Sequence, residues 1–587
     1  MSTTQQVEHG ESAPLRVGTV AELAAEGVRV VAANGASVAV FWHGGQPYAL
    51  DNRCPHLGFP LHQGTVRDGV VTCHWHHAKF DLAGGCTFDA FADDARAYPV
   101  WVEDGAVWLA ARPVTRDEAA HHLRKLDEGL EHRLDLVLAK SVLGLDGHVP
   151  SAEILARAAR FGVRNRAAGW SDGLSILVAL ANLRAHLAAD DREATLFHGL
   201  VHVARSTAGH PPSFDLDPLD TDVSDPQRLT SWFRRFCEVR ADGAAERTLR
   251  AAVAAGLAPA ELVAMIAAAC TDHRFLDVGH ALDFANKAFE LCDHVGWSEA
   301  DELLPALIPA LTGGTRMEET AAWRHPVDLA AAVAAACDGL ELPAAAASGW
   351  QGHAALAAQV LDDEPAAMLS QLADLVRGGV PVTELSAAVA YAAALRLVHF
   401  PTTNEQGDWD TVHHVFTYAN AVDQTLRRAP SAALLRGLLD AAAAVHLERF
   451  LNVPKRPVPQ PSGAQREPDE LLALFDRHGA VDAVGQATAD LLAAGHTAEV
   501  VRTLGHALVR EDATFHCYQV LEAAVRQHAN LAGTPAADHV LIGSARFLAA
   551  QFPTVRSRAR TWQVARRLHR GEAVHEDPGL AAGPATP

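Results

Sequence analysis

Two short motifs near the N-terminus constrain this chain more than any other feature. The first motif reads Cys54-Pro-His56 and the second reads Cys73-His-Trp-His76. Glycine and proline surround both motifs, which is typical of tight loops. Two thiols and two imidazoles that two loops can bring together predict a metal centre held by Cys54, His56, Cys73 and His76.

Two kinds of metal centre accept four such ligands. In a Rieske [2Fe–2S] cluster, two cysteine thiolates hold one iron and two histidines hold the other. A structural zinc ion also binds two cysteines and two histidines, but classical zinc fingers place a cysteine pair before a histidine pair. Each loop of this chain carries one residue of each kind. The sequence therefore favours the [2Fe–2S] cluster, with zinc as the alternative.

The residues around the motifs resemble the Rieske domains of ferredoxins and ring-hydroxylating oxygenases. Short strands precede the loops and a hairpin with an Asp-Gly turn follows them at 98–109, so that the resemblance covers 14–112. Phe59 stands where membrane-complex Rieske proteins carry a disulfide cysteine, which implies the soluble type of domain. His77 stands where the oxygenase pattern has glycine.

Composition restricts the partners of the chain. Its 587 residues carry a formal net charge of −22, which argues against nucleic-acid binding because nucleic-acid-binding proteins present basic surfaces. We see no basic and apolar leader and no apolar stretch long enough to span a membrane, so we expect a cytoplasmic protein. The eight cysteines are scattered, which agrees with a reducing compartment.

The hydrophobic pattern changes near residue 115. Beyond this point apolar residues recur at helical spacing in nearly every segment, and strand patterns almost vanish. The sequence predicts a multidomain protein in which a small all-β Rieske domain is followed by a large all-α domain. The predicted parts are a flexible N-terminus at 1–13, the Rieske domain at 14–112, a catalytic helical domain at 113–570 and a disordered tail at 571–587.

The chain lacks a glycine-rich dinucleotide fingerprint after a strand. We therefore expect the electrons to come from an external ferredoxin or an NAD(P)H-dependent reductase. An electron carrier also needs an acceptor, and the histidines of the helical region are the candidates. The six that we predict as metal ligands are His198, His202, His273, His280, His413 and His414, and single histidines follow at 506 and 516.

The middle pair of these histidines belongs to a predicted helical stripe. The residues that step by four and three along one helix face, which includes a helix predicted at 276–295, are His273, Asp277, His280, Phe284, Lys287, Leu291 and His294. Lys287 is the only lysine between residues 141 and 454. We predict Asp277 and Lys287 as catalytic residues. The alternatives are a salt bridge for Lys287 and a stripe that faces water.

The second metal does not follow the ring-hydroxylating pattern. Those oxygenases hold a mononuclear iron through two histidines and a carboxylate, with an acidic residue shortly before a His-x4-His pair. We do not find that pattern in this sequence. Histidines from several helices of a bundle are another way to build such a site, and we predict an additional non-haem iron of this kind.

Three segments of the helical region resemble motifs of the questin-oxidase-like family. They are Phe197–Val201, His273–His280 and His414–Thr417. The second segment departs from that family's pattern, because an aspartate stands at its second histidine and a histidine stands at its tyrosine. The resemblance implies oxidative cleavage or Baeyer–Villiger-type oxygenation of polyketide-like aromatic compounds.

Two functions follow from these observations. The first is a Rieske oxygenase that passes electrons from the cluster to a non-haem iron, where O2 and an aromatic or polyketide-like small molecule react. The second is an electron-transfer or redox-sensing module on a helical interaction scaffold without a second metal. Two irons per chain would indicate the second function, and three or four would indicate the first.

Overall fold

The structure is a computed structural model that describes residues 13–165, 168–343, 349–362, 364–572 and 574. The predicted flexible N-terminus and disordered tail lie outside these residues, apart from residues 13, 571, 572 and 574. The chain divides into two compact units, which are residues 1–149 with 560–587, and residues 150–559. No helix among the described residues has the length and apolar character needed to cross a bilayer.

Three antiparallel sheets of three strands build the first unit, with strand orders β1-β9-β8, β2-β3-β4 and β5-β6-β7. Side chains alternate across the central strand β3. Ala39 and Phe41 pack into the core beneath the two cysteine–histidine loops, whereas Val38 and Val40 pack into the core on the other face. The strands are β1 Leu15–Thr19, β2 Val28–Ala33, β3 Ala36–His43, β4 Gln46–Asp51, β5 Thr65–Arg67, β6 Val70–Thr72, β7 Lys79–Asp81, β8 Val100–Glu103 and β9 Ala106–Leu109.

Helices complete the first unit. Helix α1 (Val20–Glu26) follows β1, and a helical hairpin of α2 (Glu118–His132) and α3 (Asp135–Leu145) follows the last strand. The hairpin packs closely at Gly129, where an added Cβ would lie 2.8 Å from Leu138. The compact unit thus extends beyond the predicted boundary at residue 112, because helical periodicity alone does not say which core a helix packs against.

The described residues of the second unit form helices and connecting segments without strands, which confirms the predicted fold class of a small β domain followed by a large α region. Helix α17 is buried along almost its whole length and is accordingly mostly apolar. The helices are α4 Ser151–Arg164, α5 Asp172–Leu183, α6 Ala189–Ser206, α7 Pro226–Glu238, α8 Asp242–Ala254, α9 Pro259–Cys270, α10 His280–Val295, α11 Ala300–Leu303, α12 Ile308–Gly313, α13 Ala321–Arg324, α14 Leu329–Cys337, α15 His353–Asp362, α16 Pro365–Arg377, α17 Val382–Val398, α18 Asp408–Arg428, α19 Ala432–Leu447, α20 Pro468–Leu474, α21 Val481–Ala493, α22 Thr497–Arg510, α23 Phe515–Asn530, α24 Pro535–Gln551 and α25 Ser557–His569, the last of which crosses the boundary between the units.

Candidate redox and metal sites

The two cysteine–histidine loops share one backbone turn. In each loop the N–H of the cysteine donates to the carbonyl five residues later at 2.8 Å. Each loop also has a left-handed residue four positions after its cysteine, with φ of 86° at Gly58 and 61° at His77. His77 therefore occupies the position that favours glycine, and histidine is among the residue types that tolerate this conformation best.

The loops gather the thiols and the imidazoles into two separate pairs. Cys54 and Cys73 are buried, and their side chains are hydrogen-bonded to each other. The rings of His56 and His76 meet edge-on with centroids 4.7 Å apart. Nδ1 of His56 is buried and has no hydrogen-bond partner among the described residues, so it is available to a metal ion.

This pairing fits a cluster of two irons better than a single zinc ion. The ligands of one tetrahedral zinc lie within roughly 4 Å of one another. No three sulfur and nitrogen atoms from Cys54, His56, Cys73 and His76, all of which lie in the described ranges, come within 4.8 Å of one another. A thiol pair set apart from an imidazole pair is the ligand arrangement of a Rieske cluster.

The protonation states suit metal binding at two of the four residues. The hydrogen bond from Cys54 lowers the pKa of the Cys73 thiol to about 6, with help from the backbone N–H groups of Trp75 and His76. Burial, followed by the nearby charges of His76 and Lys140, lowers the pKa of His56 to about 4. The hydrogen bond with Cys73, followed by burial, raises the pKa of Cys54. Thiolates and neutral imidazoles are the forms that bind metals, so these shifts favour metal binding at Cys73 and His56 and oppose it at Cys54.

In the second unit, an unusual turn determines where helix α10 begins. Asp277 and Val278 have φ of 54° and 48°, and Gly279 has φ of 93°. Positive φ costs a residue other than glycine of the order of 1–3 kcal/mol, and it is rarest for β-branched residues such as valine. The helix predicted to begin at residue 276 therefore begins at His280, and the predicted stripe does not run continuously from His273.

Three helices bring three histidines together, and we call these residues the histidine triad. His280 begins α10, His414 lies near the start of α18 and His516 is the second residue of α23. One ring nitrogen of each lies within 4.8 Å of the corresponding nitrogens of the other two. Nε2 of His414 and Nδ1 of His516 are buried without a hydrogen-bond partner among the described residues. Such a group can hold a metal ion.

Burial keeps His414 and His516 in the form that binds metals. It is the main cause that lowers the pKa of His414 to about 2 and the pKa of His516 to about 3, and the neighbouring histidines add to both shifts. His413 is fully buried beside the triad, with its ring centroid 3.8 Å from that of His516. These imidazoles are neutral at neutral pH.

Two carboxylates and an aromatic ring lie around the triad. Asp283 accepts a hydrogen bond from the Gln519 amide, and its Oδ2 lies 3.9 Å from Nδ1 of His280. Asp410 stands one turn before His414 on α18, and its Oδ1 lies 3.3 Å from Nε2 of His413. Phe284 stacks on His280 with ring centroids 5.1 Å apart. A metal ion held by the triad would thus have carboxylate oxygens and an aromatic surface nearby.

The first predicted histidine pair lies apart from the triad. Nδ1 of His198 is hydrogen-bonded to the Tyr518 hydroxyl at 3.1 Å, and Nε2 of His202 accepts a hydrogen bond from Arg558 at 2.7 Å. His198 is almost fully buried, and His202 is partly buried. One ring nitrogen of each is therefore engaged with a protein group, and neither residue joins the triad.

His273 and Asp277 are also separate from the triad. Both ring nitrogens of His273 are paired with carboxylates, at 2.6 Å from Glu318 and 2.7 Å from Glu238. The hydrogen bond with Glu318 is the main cause that raises the pKa of His273. Asp277 lies in the left-handed turn, where its N–H donates to the carbonyl of Thr315 at 2.8 Å. The predicted stripe therefore contributes only His280 to the triad.

Lys287 forms the salt bridge that the sequence left as an alternative. The residue is 1% exposed, and its Nζ lies 2.8 Å from Glu290 and 2.6 Å from Glu522. These carboxylates raise the pKa of Lys287 although burial opposes them. Asn182 donates to both carboxylates as well. Lys287 is thus a paired cation inside a buried polar network.

Sequence reasoning did not select His516. Its sequence neighbourhood, Phe515-His516, contains one histidine, so no spacing with a second ligand marks it. The triad comes from helices that lie far apart in sequence. Only the packing of α23 against α18 distinguishes His516 from the other isolated histidines.

Known proteins resemble the first unit. Residues 13–99 match the model of the Rieske [2Fe-2S] domain. Over 97 residues the chain is 35% identical to the ferredoxin subunit of 3-phenylpropionate/cinnamic acid dioxygenase from Photorhabdus laumondii, which covers 16% of this chain and 91% of that protein. These matches confirm the predicted Rieske domain and leave the helical region unaddressed.

Two further relatives are larger than the matched region. The chain is 36% identical over 75 residues to 4beta-methylsterol monooxygenase from Methylococcus capsulatus, covering 11% of this chain and 20% of that protein. It is 36% identical over 74 residues to a Rieske domain-containing protein from Homo sapiens, covering 12% and 47% respectively. The chain thus spans a fifth of the first protein and about half of the second.

Proposed function

We propose that this chain, which belongs to the Rieske [2Fe–2S] family through residues 13–99, is an oxygenase whose second unit holds a non-haem iron at the histidine triad. The observation that carries this proposal is the convergence of His280, His414 and His516, with one nitrogen of each within 4.8 Å of the others. When bound, the cluster would supply single electrons and the iron would supply a centre for O2 chemistry.

The first unit has the features of an electron carrier. Cys54 and Cys73 would hold one iron in a buried setting, which protects the thiolates from water and oxidants. His56 and His76 would hold the other iron, and His76 is exposed. Electrons would enter and leave at this exposed imidazole edge, where an external ferredoxin or an NAD(P)H-dependent reductase can approach.

The histidine triad and a nearby carboxylate are the candidate ligands of the iron. The three imidazoles would hold the iron, which when bound would supply a centre for O2 chemistry. Asp410 is the candidate for a carboxylate ligand, because it lies on the same helix face as His414 and its side chain is 64% exposed. Asp283 lies 3.9 Å from Nδ1 of His280, which is beyond hydrogen-bond distance, and places a second carboxylate beside the triad.

Aromatic rings beside the triad support an aromatic or polyketide-like small molecule as the substrate. The ring centroids of Phe284 and Phe515 lie 6.0 Å apart, and both lie within 5.9 Å of the ring centroid of His280. Rings at these distances present faces and edges against which an aromatic substrate can pack. Oxidative cleavage and Baeyer–Villiger-type oxygenation are the reaction classes that we propose for it.

Counting electrons tests the proposal. Anaerobic titration of the oxidised full-length chain with dithionite should consume two electrons per chain, one for the cluster and one for the iron of the triad. The His516→Ala variant should consume one electron and keep the cluster spectrum. A wild-type chain that consumes only one electron would instead indicate the redox module without a second metal.

A further inference from the structure

We propose that Lys140 is a positioning residue that raises the reduction potential of the [2Fe–2S] cluster. Lys140 lies on α3, outside the residues that match the Rieske family model, and its Nζ donates to the carbonyls of Pro55 and His56, the latter at 2.8 Å. The first ligand loop is therefore held by a cation from the helical hairpin. The inference depends on the cluster alone and is independent of the proposed iron at the triad.

The hairpin has a defined position on the Rieske fold. Nε2 of His121 lies 2.6 Å from Oδ1 of Asp93, and both residues belong to the first unit. The ring of His122 packs against Gly144, where an added Cβ would lie 2.2 Å from Nε2 of that histidine. The first contact ties α2 to the segment that carries Asp93, and the second packs α2 against α3. Lys140 then ties α3 to the first ligand loop, which places its ammonium group beside the backbone of His56.

The Lys140 side chain lines a cavity of about 370 Å³ in the first unit, together with Cys54 and Pro55. Acidic and basic groups both face this cavity, among them Asp93, Arg53 and Arg116. Among the charged groups of the described residues that line this cavity, Lys140 donates to the carbonyl of the predicted iron ligand His56. Its charge thus lies within hydrogen-bond distance of the ligand-loop backbone.

Electrostatics gives the direction of the effect. Reduction adds one negative charge to the cluster, and a positive charge nearby stabilises the reduced state. Lys140 supplies that charge at neutral pH, although burial lowers its pKa to about 8. The charge should therefore raise the potential, and its removal should lower the potential.

The test compares three variants of the full-length chain by optical redox titration at constant pH. Lys140→Met removes the charge, Lys140→Arg keeps it, and Lys125→Met is the matched control. Lys125 is also a buried lysine of the hairpin, but its Nζ is paired with Glu128 at 2.7 Å and lies 3.5 Å from the carbonyl of Ala92. The control therefore removes a similar cation without changing the ligand loop.

We expect Lys140→Met to shift the one-electron equilibrium towards the oxidised state by about tenfold, which corresponds to 59 mV. The reduction potential of Lys140→Arg should stay close to that of wild type, and the potential of Lys125→Met should equal that of wild type. An unchanged potential in Lys140→Met, or an equal shift in Lys125→Met, would overturn the inference. If Lys140→Met fails to bind the cluster, Lys140→Gln replaces it: a potential well below that of Lys140→Arg supports the inference, and equal potentials overturn it.

Discussion

His414 and His516 come from helices α18 and α23, and their ring centroids lie 4.6 Å apart. Each ring has a buried nitrogen without a hydrogen-bond partner in the described part of the chain. Buried polar atoms are nearly always paired in folded proteins, and an unpaired one costs about 1–3 kcal/mol. A metal ion bound between them would satisfy both nitrogens at once.

Loss of one triad member should weaken metal binding. We expect His516→Ala to reduce the affinity of the full-length chain for Co²⁺ at the second site by at least about tenfold, because one of three imidazole ligands is removed. Co²⁺ titration followed by visible absorption measures this affinity. His446→Ala is the control, because His446 is also buried with an unpaired Nδ1 but lies on α19 outside the triad. Equal affinities in wild type and His516→Ala would count against the site.

Lys287 should matter for stability and not for metal binding. Lys287→Met leaves the buried carboxylates of Glu290 and Glu522 with Arg526 as their remaining cation, and breaking a buried ion pair costs about 3–5 kcal/mol. We expect a large fall in the unfolding midpoint of the helical unit and an unchanged metal content. The double variant Lys287→Met with Glu522→Gln should recover part of the loss. A stable Lys287→Met protein that had lost its metal would instead restore the predicted catalytic role.

The stability of the second unit should depend on pH through His198. Burial is the main cause that lowers the pKa of His198 to about 3 in the folded state, whereas an unfolded histidine titrates near 6.5. Between these values the unfolded chain binds a proton that the folded chain does not, so stability falls as the pH drops from 6.5 towards 3.

Replacement of this histidine should reduce the pH effect. His198→Asn keeps a hydrogen-bonding group near Tyr518 but removes the titrating imidazole. The free energy of unfolding of the variant should therefore change with pH less steeply than that of wild type, and the two slopes should differ by up to about 1.36 kcal/mol per pH unit. Thermal midpoints of both proteins between pH 4 and pH 8 measure the difference. Parallel curves for the two proteins would show that His198 is not a titrating group of this kind.

The two left-handed positions of the ligand loops should respond in opposite ways. Gly58→Ala places a side chain at φ 86°, which costs about 1–2 kcal/mol, whereas His77→Gly relieves a similar conformation in the second loop. We expect the cluster absorbance of Gly58→Ala to disappear at a lower temperature than in wild type, and that of His77→Gly to persist at least as long. The reverse order would show that the His77 side chain contributes more than its backbone conformation costs.

Local patterns made the first site predictable and the second site only partly so. Cys54, His56, Cys73 and His76 lie on two short loops whose spacing favours a [2Fe–2S] cluster over a zinc ion. The triad depends on the packing of three distant helices, and the sequence pointed to His280 and His414 but carried no spacing that involved His516. The left-handed turn before α10 could not be predicted either, because a β-branched residue such as Val278 rarely has a positive φ.

Helical periodicity also could not assign the hairpin of α2 and α3 to the first unit. Its apolar faces have the same pattern as those of the helices that follow. The polar contacts that fix it, such as the contact of His121 with Asp93, join residues that show no shared motif. For the same reason Lys140 did not stand out in the sequence, although its Nζ contacts the first ligand loop.

Iron analysis of the intact chain, purified anaerobically, is the most direct test of the proposed second centre. We predict three irons per chain in wild type and two in the variant that replaces His280, His414 and His516 by alanine, with the [2Fe–2S] spectrum unchanged in both. Two irons per chain in wild type, with no other metal bound in their place, would contradict the account.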